Sequence, residues 1–482
     1  MNGITMKNNP IETGLSRRQW VGLAAGGLAT GLLPFAGWAD SGVTSLRSVK
    51  GRKPVTVASE LATTGISGQR VVVVGGGMAG MTVAKYLRLW GGSGLQVTLV
   101  EPDALYTSSI MSNLVLNGSR NISTLQFTRD ALTTRYGVVR KAGSVVAIDR
   151  NTRTVTLSDQ STLMYDRLVL APGVSFDDAY GLTQADYEAR TPHAWRAGAQ
   201  TTLLRQQVVA MRDKDVFVMT IPKAPYRCPP GPYERACVVA DHLKTTQRAG
   251  CQVIVLDENP SIQAERHTFE TAFGQTHAGV IRYVPGVTGI TIDPMTKVVS
   301  YVDALGVSQV IQARVVNPIV PHRATGSEAG GWLAQAGLNN GTAGRWANVN
   351  VLSYESTAAG AVGIHVIGDA SSCGMPKAGH VANQEAKICA DAIVRLMTGG
   401  QPDPQPVANS ACYSPITAKT ASWLTAVYQY DSADGKMKIA SNGGQLLING
   451  VPAVPTEAAT VSQDNFKDMG TWFTTLMRDT AA

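Results

Sequence analysis

The chain has 482 residues, enough for two or three domains and a large buried core. Hydrophobic residues make up 44% of it and charged residues 16%, the composition of an ordinary globular protein. The formal net charge of +7 is not gathered into a block, so a basic nucleic-acid-binding arm is excluded.

Residues 1–39 have the pattern of an export signal. Ser16, Arg17 and Arg18 begin a twin-arginine pattern, a weakly apolar Gly/Ala-rich run follows, and Gly37-Trp38-Ala39 supplies a cleavage site. A membrane anchor is the alternative, but the run ends near Pro34 and no basic stop-transfer segment follows. Removal of three basic residues and one acidic residue leaves 39 against 34, or +5. We expect a periplasmic protein that is exported folded, carries its cofactor and has no membrane-spanning segment.

The next stretch predicts a dinucleotide-binding βαβ unit. A β-branched strand at 70–74 precedes Gly75, Gly77 and Gly80, which have the G-x-G-x-x-G spacing, and a helix is predicted over 81–89. These glycines permit a tight turn, close approach of the backbone to a pyrophosphate, and close packing of helix on strand. A second strand, 95–101, ends in Glu101, which is placed to bind a ribose hydroxyl.

Two later strands favour FAD over NAD as that dinucleotide. Residues 166–173 form an apolar strand that breaks at Pro172-Gly173, which resembles the crossover that leaves the FAD domain of flavoproteins with two dinucleotide-binding domains. Residues 363–370 form a strand that ends at Gly368-Asp369, and the resemblance makes Asp369 a ligand of the flavin ribityl chain. The flavin domain is therefore predicted in two separated pieces.

The segment between them predicts a second βαβ unit without a phosphate turn. Its first strand is 215–221, its helix reaches about residue 248 and its second strand is 252–257. Six prolines and glycines crowd the loop between strand and helix, and each proline removes an N–H donor. A nicotinamide cofactor is therefore disfavoured. The loop carries Cys228 between Arg227 and a helix start, which would favour a thiolate, although the cysteine could also be a bystander.

Six segments together resemble the flavoprotein subunit of flavocytochrome c sulfide dehydrogenase, a family related to sulfide:quinone reductases. They are VVVVGGGMAG (71–80), VTLVEP (97–102), PHAWRAG (192–198), PYRCPPGPYERA (225–236), IHVIGDA (364–370) and MPKAGHVAN (375–383). The resemblance runs from about Gln69 to Thr474. It implies the α/β glutathione-reductase-like fold, with two dinucleotide-binding domains and a small C-terminal domain.

The resemblance also implies a reaction and its residues. Members oxidise sulfide, collect electrons on FAD through a redox-active cysteine pair, and pass them to a c-type cytochrome. Cys228 matches one member of that pair, and Lys377 should lie at a helix start near the flavin pyrimidine ring. His380 could transfer protons near the flavin or be a core histidine, whereas His193 and His365 are expected to be structural.

The sequence departs from the family at two positions. The second redox cysteine falls at Ala347, and the cysteine that tethers FAD in some members falls in Tyr106-Thr107-Ser108-Ser109, so we expect FAD to be dissociable. One thiol cannot serve as a disulfide relay. Cys373 could replace the missing partner or be a small buried residue. For the other four cysteines we expect packing roles.

The predicted domains are a signal peptide at 1–39, a linker at 40–68, FAD-binding pieces at 69–175 and 321–405, an inserted domain at 176–320 and a C-terminal domain at 406–482. No C-x-x-C-H occurs in the chain, so a c-type heme has to come from a partner cytochrome. No metal-ligand spacing is present either. Aromatic residues of the C-terminal domain could mark the partner interface or form a small core.

Three functions remain open from the sequence. The first is a sulfide dehydrogenase that works with a c-type cytochrome and an altered thiol relay. The second is a flavin dehydrogenase of the same fold with another electron donor, which Ala347 makes plausible. The third is a noncatalytic flavoprotein that binds a sulfur carrier or stabilises a cytochrome.

Overall fold

A computed structural model describes residues 61–62, 64–440, 447–448, 451–452 and 456–482. The predicted export signal at 1–39 and the linker up to residue 60 lie outside the described residues. Within the described part of the chain, no helix combines the length and the apolarity that a bilayer span requires.

The first dinucleotide-binding domain is built on a mainly parallel sheet of eight strands. Parallel pairing joins the central strands, and Glu355–Ser356 runs antiparallel to both of its neighbours. In spatial order the strands are Ser371–Ser372, Ala347–Asn350, Glu355–Ser356, Ile364–Val366, Arg167–Leu170, Arg70–Val74, Gln96–Val100 and Val139–Lys141. The strands predicted on either side of the inserted domain are therefore neighbours in one sheet.

The helix after the glycine turn starts earlier than the sequence pattern predicts. It spans Met78–Gly91 rather than 81–89, because Gly77 has extended backbone angles and Met78 is the first helical residue. All but one of its fourteen residues are buried, between the sheet and the helices Gly379–Met397 and Gln463–Ala481. Because both faces of the helix are buried, its sequence does not alternate between apolar and polar residues with a helical period. A prediction of the helix start relies on that alternation.

The inserted domain contains a parallel four-stranded sheet, in the order Ile281–Pro285, Gln252–Asp257, Val216–Ile221 and Val315–Pro318. Its crossover helix is Gly231–Thr245, three residues shorter than predicted. An antiparallel sheet packs against it through a common apolar core and consists of Thr288–Ile292, Val298–Val302 and Ser308–Gln312. The chain enters and leaves this domain through Val174–Phe176 and His322–Ala324, which pair antiparallel with each other.

The C-terminal part adds a small antiparallel sheet and a long helix. The strands Val407–Pro415, Ala421–Asp431 and Lys436–Ile439 pair in sequence, and Thr456–Glu457 joins the edge of the middle one. The helix Gln463–Ala481 is anchored by Asp479, which accepts a 2.6 Å hydrogen bond from Tyr86 and pairs with Lys387 at 2.7 Å. This part is thereby fixed to the first domain.

The remaining elements are short or peripheral. The small strands are Tyr106–Thr107, Gln126–Phe127, Val145–Asp149, Thr154–Leu157, Thr162–Met164, Leu447–Ile448 and Val451–Pro452. The other helices and helical turns are Asn113–Leu116, Ile122–Leu125, Asp130–Thr134, Gln184–Ala189, Ala199–Val209, Arg266–Thr271, Ala272–Thr276, Trp332–Gln335, Thr342–Gly344 and Gly368–Ala370. The architecture confirms the predicted α/β fold with two dinucleotide-binding domains and an added C-terminal sheet.

Candidate active site

One cavity of about 690 Å³ connects the glycine turn of the first domain with the cysteine of the inserted domain. Gly75 and Gly77 lie in its wall, and so does Cys228. The C-terminal sheet contributes part of the lining through Cys412, Tyr413 and Tyr428. Residues from all three structural parts therefore meet in one cavity.

The glycine turn fits a dinucleotide, because each glycine is needed for a different steric reason. A Cβ on Gly80 would lie 1.7 Å from the carbonyl oxygen of Gly75, and a Cβ on Gly75 would lie 2.3 Å from that of Ala171. A Cβ on Gly77 would meet nothing within 4 Å, and Gly77 lines the cavity. The space at Gly77 is what close approach of a pyrophosphate requires.

The predicted ribose ligand, Glu101, lies at the end of its strand and in the cavity wall. Its carboxylate accepts hydrogen bonds from the amides of Gly76, at 2.5 Å, and Asp103, at 3.0 Å. Arg129, buried beside it, donates to the carbonyl oxygens of Gly76 and Asp103. These bonds fix the carboxylate in place while each of its oxygens can still accept another hydrogen bond.

The segments that follow the strands Arg167–Leu170 and Ile364–Val366 form a second part of the predicted FAD site. Pro172, Gly173, Gly368 and Asp369 all line the cavity. Burial raises the pKa of the Asp369 carboxyl, against the opposing charges of Arg227 and Lys377. Its Oδ1 is buried and has no hydrogen-bond partner among the described residues. A buried acceptor without a partner can receive a hydrogen bond from a ribityl hydroxyl of FAD. The residues at this site are therefore compatible with bound FAD.

The loop that carries Cys228 uses its backbone amides internally. The amides of Arg227 and Cys228 donate to His322 Nε2 and to the carbonyl oxygen of Lys377, both at 2.7 Å. The amides of Lys223 and Ala224 donate to the side chains of Glu258 and Asn259. These four donors are therefore not available to bind a nucleotide phosphate at the position that a phosphate turn would occupy.

Cys228 does not have the lowered pKa that its sequence context suggests. Burial and the nearby Glu234 raise the pKa of its thiol to about 12, and these effects exceed the opposing influence of Arg227. A Cβ on Gly231 would lie 2.7 Å from its Sγ, so the sulfur lies directly against the start of the helix. Burial outweighs the adjacent cation, and the expectation of a thiolate has to be corrected to a protonated thiol.

Two other predicted site residues, Cys373 and Lys377, are absent from the cavity lining. Cys373 is 2% exposed, does not line the cavity, and donates from Sγ to Glu385 at 3.2 Å. Lys377 does not line the cavity either, because Nζ donates to the carbonyl oxygens of Asp369 and Ser371 and lies 3.9 Å from the ring centre of Trp346. All six cysteines are free, so the structure contains no bridge from Cys228 to Cys373. Lys377 acts instead through its carbonyl oxygen, which holds the cysteine loop.

His193 and His365 lie in the protein interior, whereas His380 faces the cavity. His193 and His365 are buried and hydrogen-bonded, to the amide of Trp195 and to the carbonyl oxygen of Ser353. His380 lines the cavity and bonds through Nε2 to Ser410 Oγ at 2.9 Å. Burial lowers the pKa of His380 to about 4, so the ring is neutral near pH 7.

Two carboxyls that face the cavity are not predicted from the sequence. Glu234 belongs to the segment 225–236, where a glutamate in the first turn of a buried helix was an available signal. Burial raises the pKa of Glu234 to about 8, and Asn113 Nδ2 donates to its carboxyl at 2.9 Å. Glu265 also lines the cavity, from a loop that is distant in sequence from Cys228 and Glu234. No local sequence pattern predicts this position.

Metal chemistry has no obvious location in this site. The described residues contain no group of three or more His, Cys, Asp or Glu side chains that could hold a metal ion. The combination that is present consists of a dinucleotide cradle, a protonated thiol and a carboxyl that holds a proton near neutral pH. Two nucleotide-binding folds with such a cavity between them define a flavin-dependent oxidoreductase.

Comparison with protein families supports this class and narrows it. Residues 69–216 match the model of the pyridine nucleotide-disulphide oxidoreductases, and residues 201–321 match the central domain of the sulfide dehydrogenase [flavocytochrome c] flavoprotein chain. A 47-residue segment is 51% identical to the sulfide dehydrogenase [flavocytochrome c] flavoprotein chain of Chlorobaculum thiosulfatiphilum and covers 10% of this chain and 96% of that sequence. The chain belongs to the family of flavocytochrome c sulfide dehydrogenase flavoprotein chains.

Two further relatives are more distant. A 107-residue segment, 22% of this chain, is 33% identical to the probable ferredoxin reductase CtmF of Castellaniella defragrans, of whose length it spans 26%. The structure of sulfide:quinone oxidoreductase from Aquifex aeolicus superposes with a TM-score of 0.65 at 17% identity, over 86% of this chain and 92% of that one. The structural similarity extends the shared fold to most of the molecule.

Proposed function

We propose that the protein is the FAD-binding subunit of a sulfide dehydrogenase that passes electrons from sulfide through the flavin to a c-type cytochrome. The single observation that carries the proposal is that the dinucleotide-binding glycine turn and Cys228 line the same cavity. A thiol beside a flavin site serves sulfur redox chemistry, and the family is named for a flavocytochrome.

The cavity also has the charges that an anionic sulfur substrate needs. Arg227 and Arg196 both line it, and burial together with the nearby charge of Arg227 lowers the pKa of Arg196. Two guanidinium groups in a partly closed cavity attract hydrosulfide. The protonated carboxyl of Glu234 lies near Cys228 and can deliver a proton to a thiolate that forms there.

FAD, when bound, would supply a two-electron acceptor that can return electrons singly to a cytochrome. Gly75 and Gly77 would hold its pyrophosphate, with Gly80 packed beneath the turn, Glu101 would hold a ribose and Asp369 the ribityl chain. Ser108 and Ser109 stand where tethered members carry cysteine, so the bound FAD is noncovalent in this proposal.

A c-type cytochrome and periplasmic export complete the proposal. The chain itself has no C-x-x-C-H, and the relative from Chlorobaculum thiosulfatiphilum is named as one chain of a flavocytochrome c. The twin-arginine pattern at residues 16–23 supports export of the folded, FAD-loaded protein. A reporter fused to residues 1–45 should reach the periplasm, and an Arg17→Lys, Arg18→Lys pair should keep it in the cytoplasm.

Sulfide-dependent reduction of a c-type cytochrome by the FAD-loaded protein tests the activity. The parent protein should reduce the cytochrome with sulfide as donor, and the Cys228→Ser variant should lose at least about 100-fold in rate, because the thiol is the proposed contact with sulfur. Equal rates in the two proteins would refute the role of the thiol.

A different electron donor is the second candidate, and Ala347 favours it. The family's second redox cysteine would stand at this position, but the residue is a fully buried alanine at the start of the strand Ala347–Asn350. Flavin reduction by another donor, together with no reaction with sulfide, would select this alternative.

A further inference from the structure

A buried carboxyl in the cavity wall has an oxygen that the protein leaves without a partner. Glu265 is 2% exposed and lines the cavity. Ser414 donates to its Oε2, whereas its Oε1 has no hydrogen-bond partner among the described residues. Such an oxygen is costly to bury unless a ligand or a proton satisfies it. The position of Glu265 therefore points to a proton or a hydrogen bond that comes from the contents of the cavity.

Two buried hydroxyls connect Glu265 to a second carboxyl. Ser422 is fully buried, lies beside the carboxyl of Glu265 and favours its charged form. Ser422 Oγ is 3.2 Å from Thr268 Oγ1, and Thr268 Oγ1 donates to Glu457 Oε2 at 3.0 Å. Glu457 is only half-buried, so the connection leads from the cavity towards solvent. We call these four residues the carboxyl–hydroxyl chain.

The carboxyl–hydroxyl chain crosses the contact between the inserted domain and the C-terminal sheet. Thr268 belongs to the helix Arg266–Thr271 of the inserted domain, whereas Ser422 and Glu457 lie on paired strands of the C-terminal sheet. The amide of Thr268 also donates to Glu457 Oε2, at 3.2 Å, and holds that carboxylate at the helix. Two separate parts of the fold are thus needed to form the chain.

Each group in the chain can both accept and donate a proton. A carboxyl accepts a proton when it is charged and donates one when it is neutral, and a hydroxyl can do both at once. In the bond between Ser422 and Thr268, either hydroxyl can be the donor. A relay requires this freedom, because each hydroxyl has to turn after it passes a proton on. The chain is therefore suited to move protons between its two carboxyls.

The surroundings of Glu265 allow its carboxyl to change charge near neutral pH. Burial and the charge of Glu457 raise its pKa to about 7, against the hydrogen bonds from Ser414 and Ser422. All of the titratable groups that interact with it electrostatically are acids. They are Glu234 and Cys237 on the helix Gly231–Thr245, Cys412 on the strand Val407–Pro415, and Glu457. Glu265 can therefore take up and release a proton near pH 7.

We propose that the carboxyl–hydroxyl chain is a proton exit, which carries the proton released by sulfide oxidation from the cavity to solvent. This inference rests on the proposed function and deepens it. Oxidation of two HS⁻ to HSS⁻ gives up two electrons, which leave for the cytochrome, and one proton. The carboxylate of Glu265 accepts that proton in the cavity. Ser422 and Thr268 pass it to Glu457, which releases it to water.

The other carboxyl beside Cys228 does not offer the same route. Glu234 accepts a hydrogen bond from Asn113 Nδ2 at 2.9 Å, and Asn113 in turn accepts one from Arg235. An amide and a guanidinium keep their protons near neutral pH, so neither of them passes a proton on. Glu234 can exchange a proton within the cavity, whereas Glu265 connects the cavity with solvent.

Infrared spectroscopy of the FAD-loaded protein tests the chain without sulfide. The C=O band of protonated Glu265 should grow as the pH falls through about 7 and be absent in Glu265→Gln. In D₂O, exchange of this proton for deuterium should be at least about fivefold slower in Thr268→Val and in Glu457→Gln, because each removes a group that passes protons. Glu457 is half-buried, so its variant serves even if Thr268→Val does not fold. Exchange at the parent rate in the folded variants, or no band that Glu265→Gln removes, would overturn the proposal.

Two matched controls change similar groups outside the chain. Thr220→Val removes a buried hydroxyl that donates to the carbonyl oxygen of Ile319, and Glu270→Gln neutralises an exposed carboxylate on the same helix as Thr268. Both controls should exchange the Glu265 proton at the parent rate. Equal slowing in the controls and in the chain variants would contradict the assignment of the path to these four residues.

Sulfide-dependent reduction of the cytochrome separates this inference from the proposed function. Turnover of the parent at saturating sulfide should rise with pH through about 7, because Glu265 has to be charged to accept a proton. Glu265→Gln should lose this rise and turn over at least about tenfold more slowly, with the KM for sulfide and the FAD affinity unchanged. If Glu265→Gln, Thr268→Val and Glu457→Gln all turn over like the parent, the exit is refuted and the function stands. If the exchange is slowed in the variants but the parent does not react with sulfide, the function fails and the proton path stands.

Discussion

The amide of Cys228 donates a 2.7 Å hydrogen bond to the carbonyl oxygen of Lys377, and this bond ties the loop of the inserted domain to the segment that leads into the helix Gly379–Met397. The non-glycine Cys228 has φ +60, a conformation that costs energy and persists only when surrounding contacts hold it. The bond to Lys377 and the neighbouring bond from Arg227 to His322 supply those contacts. The position of the thiol is therefore set by the first domain as well as by its own loop.

Substitution of the glycines that form the turn should separate folding from cofactor binding. Gly80→Ala places a Cβ 1.7 Å from a backbone oxygen and should destabilise the protein by at least about 3 kcal/mol, because backbone has to move. Gly77→Ala meets nothing within 4 Å and should fold like the parent, but should bind FAD roughly tenfold more weakly because its methyl enters the pyrophosphate space. Thermal unfolding of the apoprotein and FAD titration measure the two effects. Equal FAD affinity in Gly77→Ala and the parent would contradict this account of the cradle.

Asp369→Asn should weaken FAD binding and stabilise the apoprotein. Its buried Oδ1 lacks a partner and burial raises the pKa of the carboxyl, so the charged form is costly when no cofactor is bound. We expect a gain of about 1–2 kcal/mol in apoprotein stability at pH 7, measured by urea unfolding. Asp177→Asn is the control and should destabilise, because Asp177 pairs with Arg323 and Arg345. A destabilised Asp369→Asn apoprotein would show that the carboxylate is satisfied by the protein itself.

The raised pKa of the buried Glu234 predicts how the stability of the folded protein changes with pH. Its pKa is raised from 4.5 to about 8, so between these values the folded state binds a proton that the unfolded state has lost. The contribution of this group to stability is therefore present below about pH 4.5 and is lost as the pH rises towards 8, for a total on the order of 1–3 kcal/mol. Glu234→Gln should remove this decline, as measured by unfolding at a series of pH values. Parallel curves for the parent and the variant would mean that Glu234 is ionised in the fold.

The thiol of Cys228 should react slowly with alkylating agents near pH 7. Because burial and Glu234 raise its pKa to about 12, its rate with iodoacetamide should increase roughly tenfold per pH unit from pH 7 to 9 without a plateau. Mass spectrometry of peptide 228–235 follows the reaction, and the Cys228→Ser variant confirms the assignment. A plateau in the rate below pH 8 would show that the thiol is already ionised there, as its sequence context suggests.

The fold was predictable because its signals are local. The strand Arg70–Val74, the glycine spacing and the strand Ile364–Val366 are each visible within about fifteen residues of sequence, and the structure places them in one sheet. The start of the helix Met78–Gly91 was missed because burial on both faces hides its period. Helix and strand boundaries depend on caps and packing more than on composition.

The site was only partly predictable, because its electrostatics and its partners are non-local. Arg227 beside Cys228 suggested a thiolate, but burial in the folded protein raises the thiol pKa, and burial cannot be read from the neighbouring residues. Cys373 is near the predicted flavin-binding strand in sequence, yet its buried side chain donates to Glu385 and does not line the cavity. Cys412 lines the cavity because the C-terminal sheet packs against it in the folded protein. No local sequence pattern predicts that packing.

Anaerobic mixing of the FAD-loaded protein with sulfide tests the central claim most directly. The account predicts rapid loss of the oxidised-flavin absorbance with sulfide, little or no loss with NADH, and a rate at least about 100-fold lower in Cys228→Ser. Reduction by NADH but not by sulfide, or equal rates in the parent and Cys228→Ser, would contradict it.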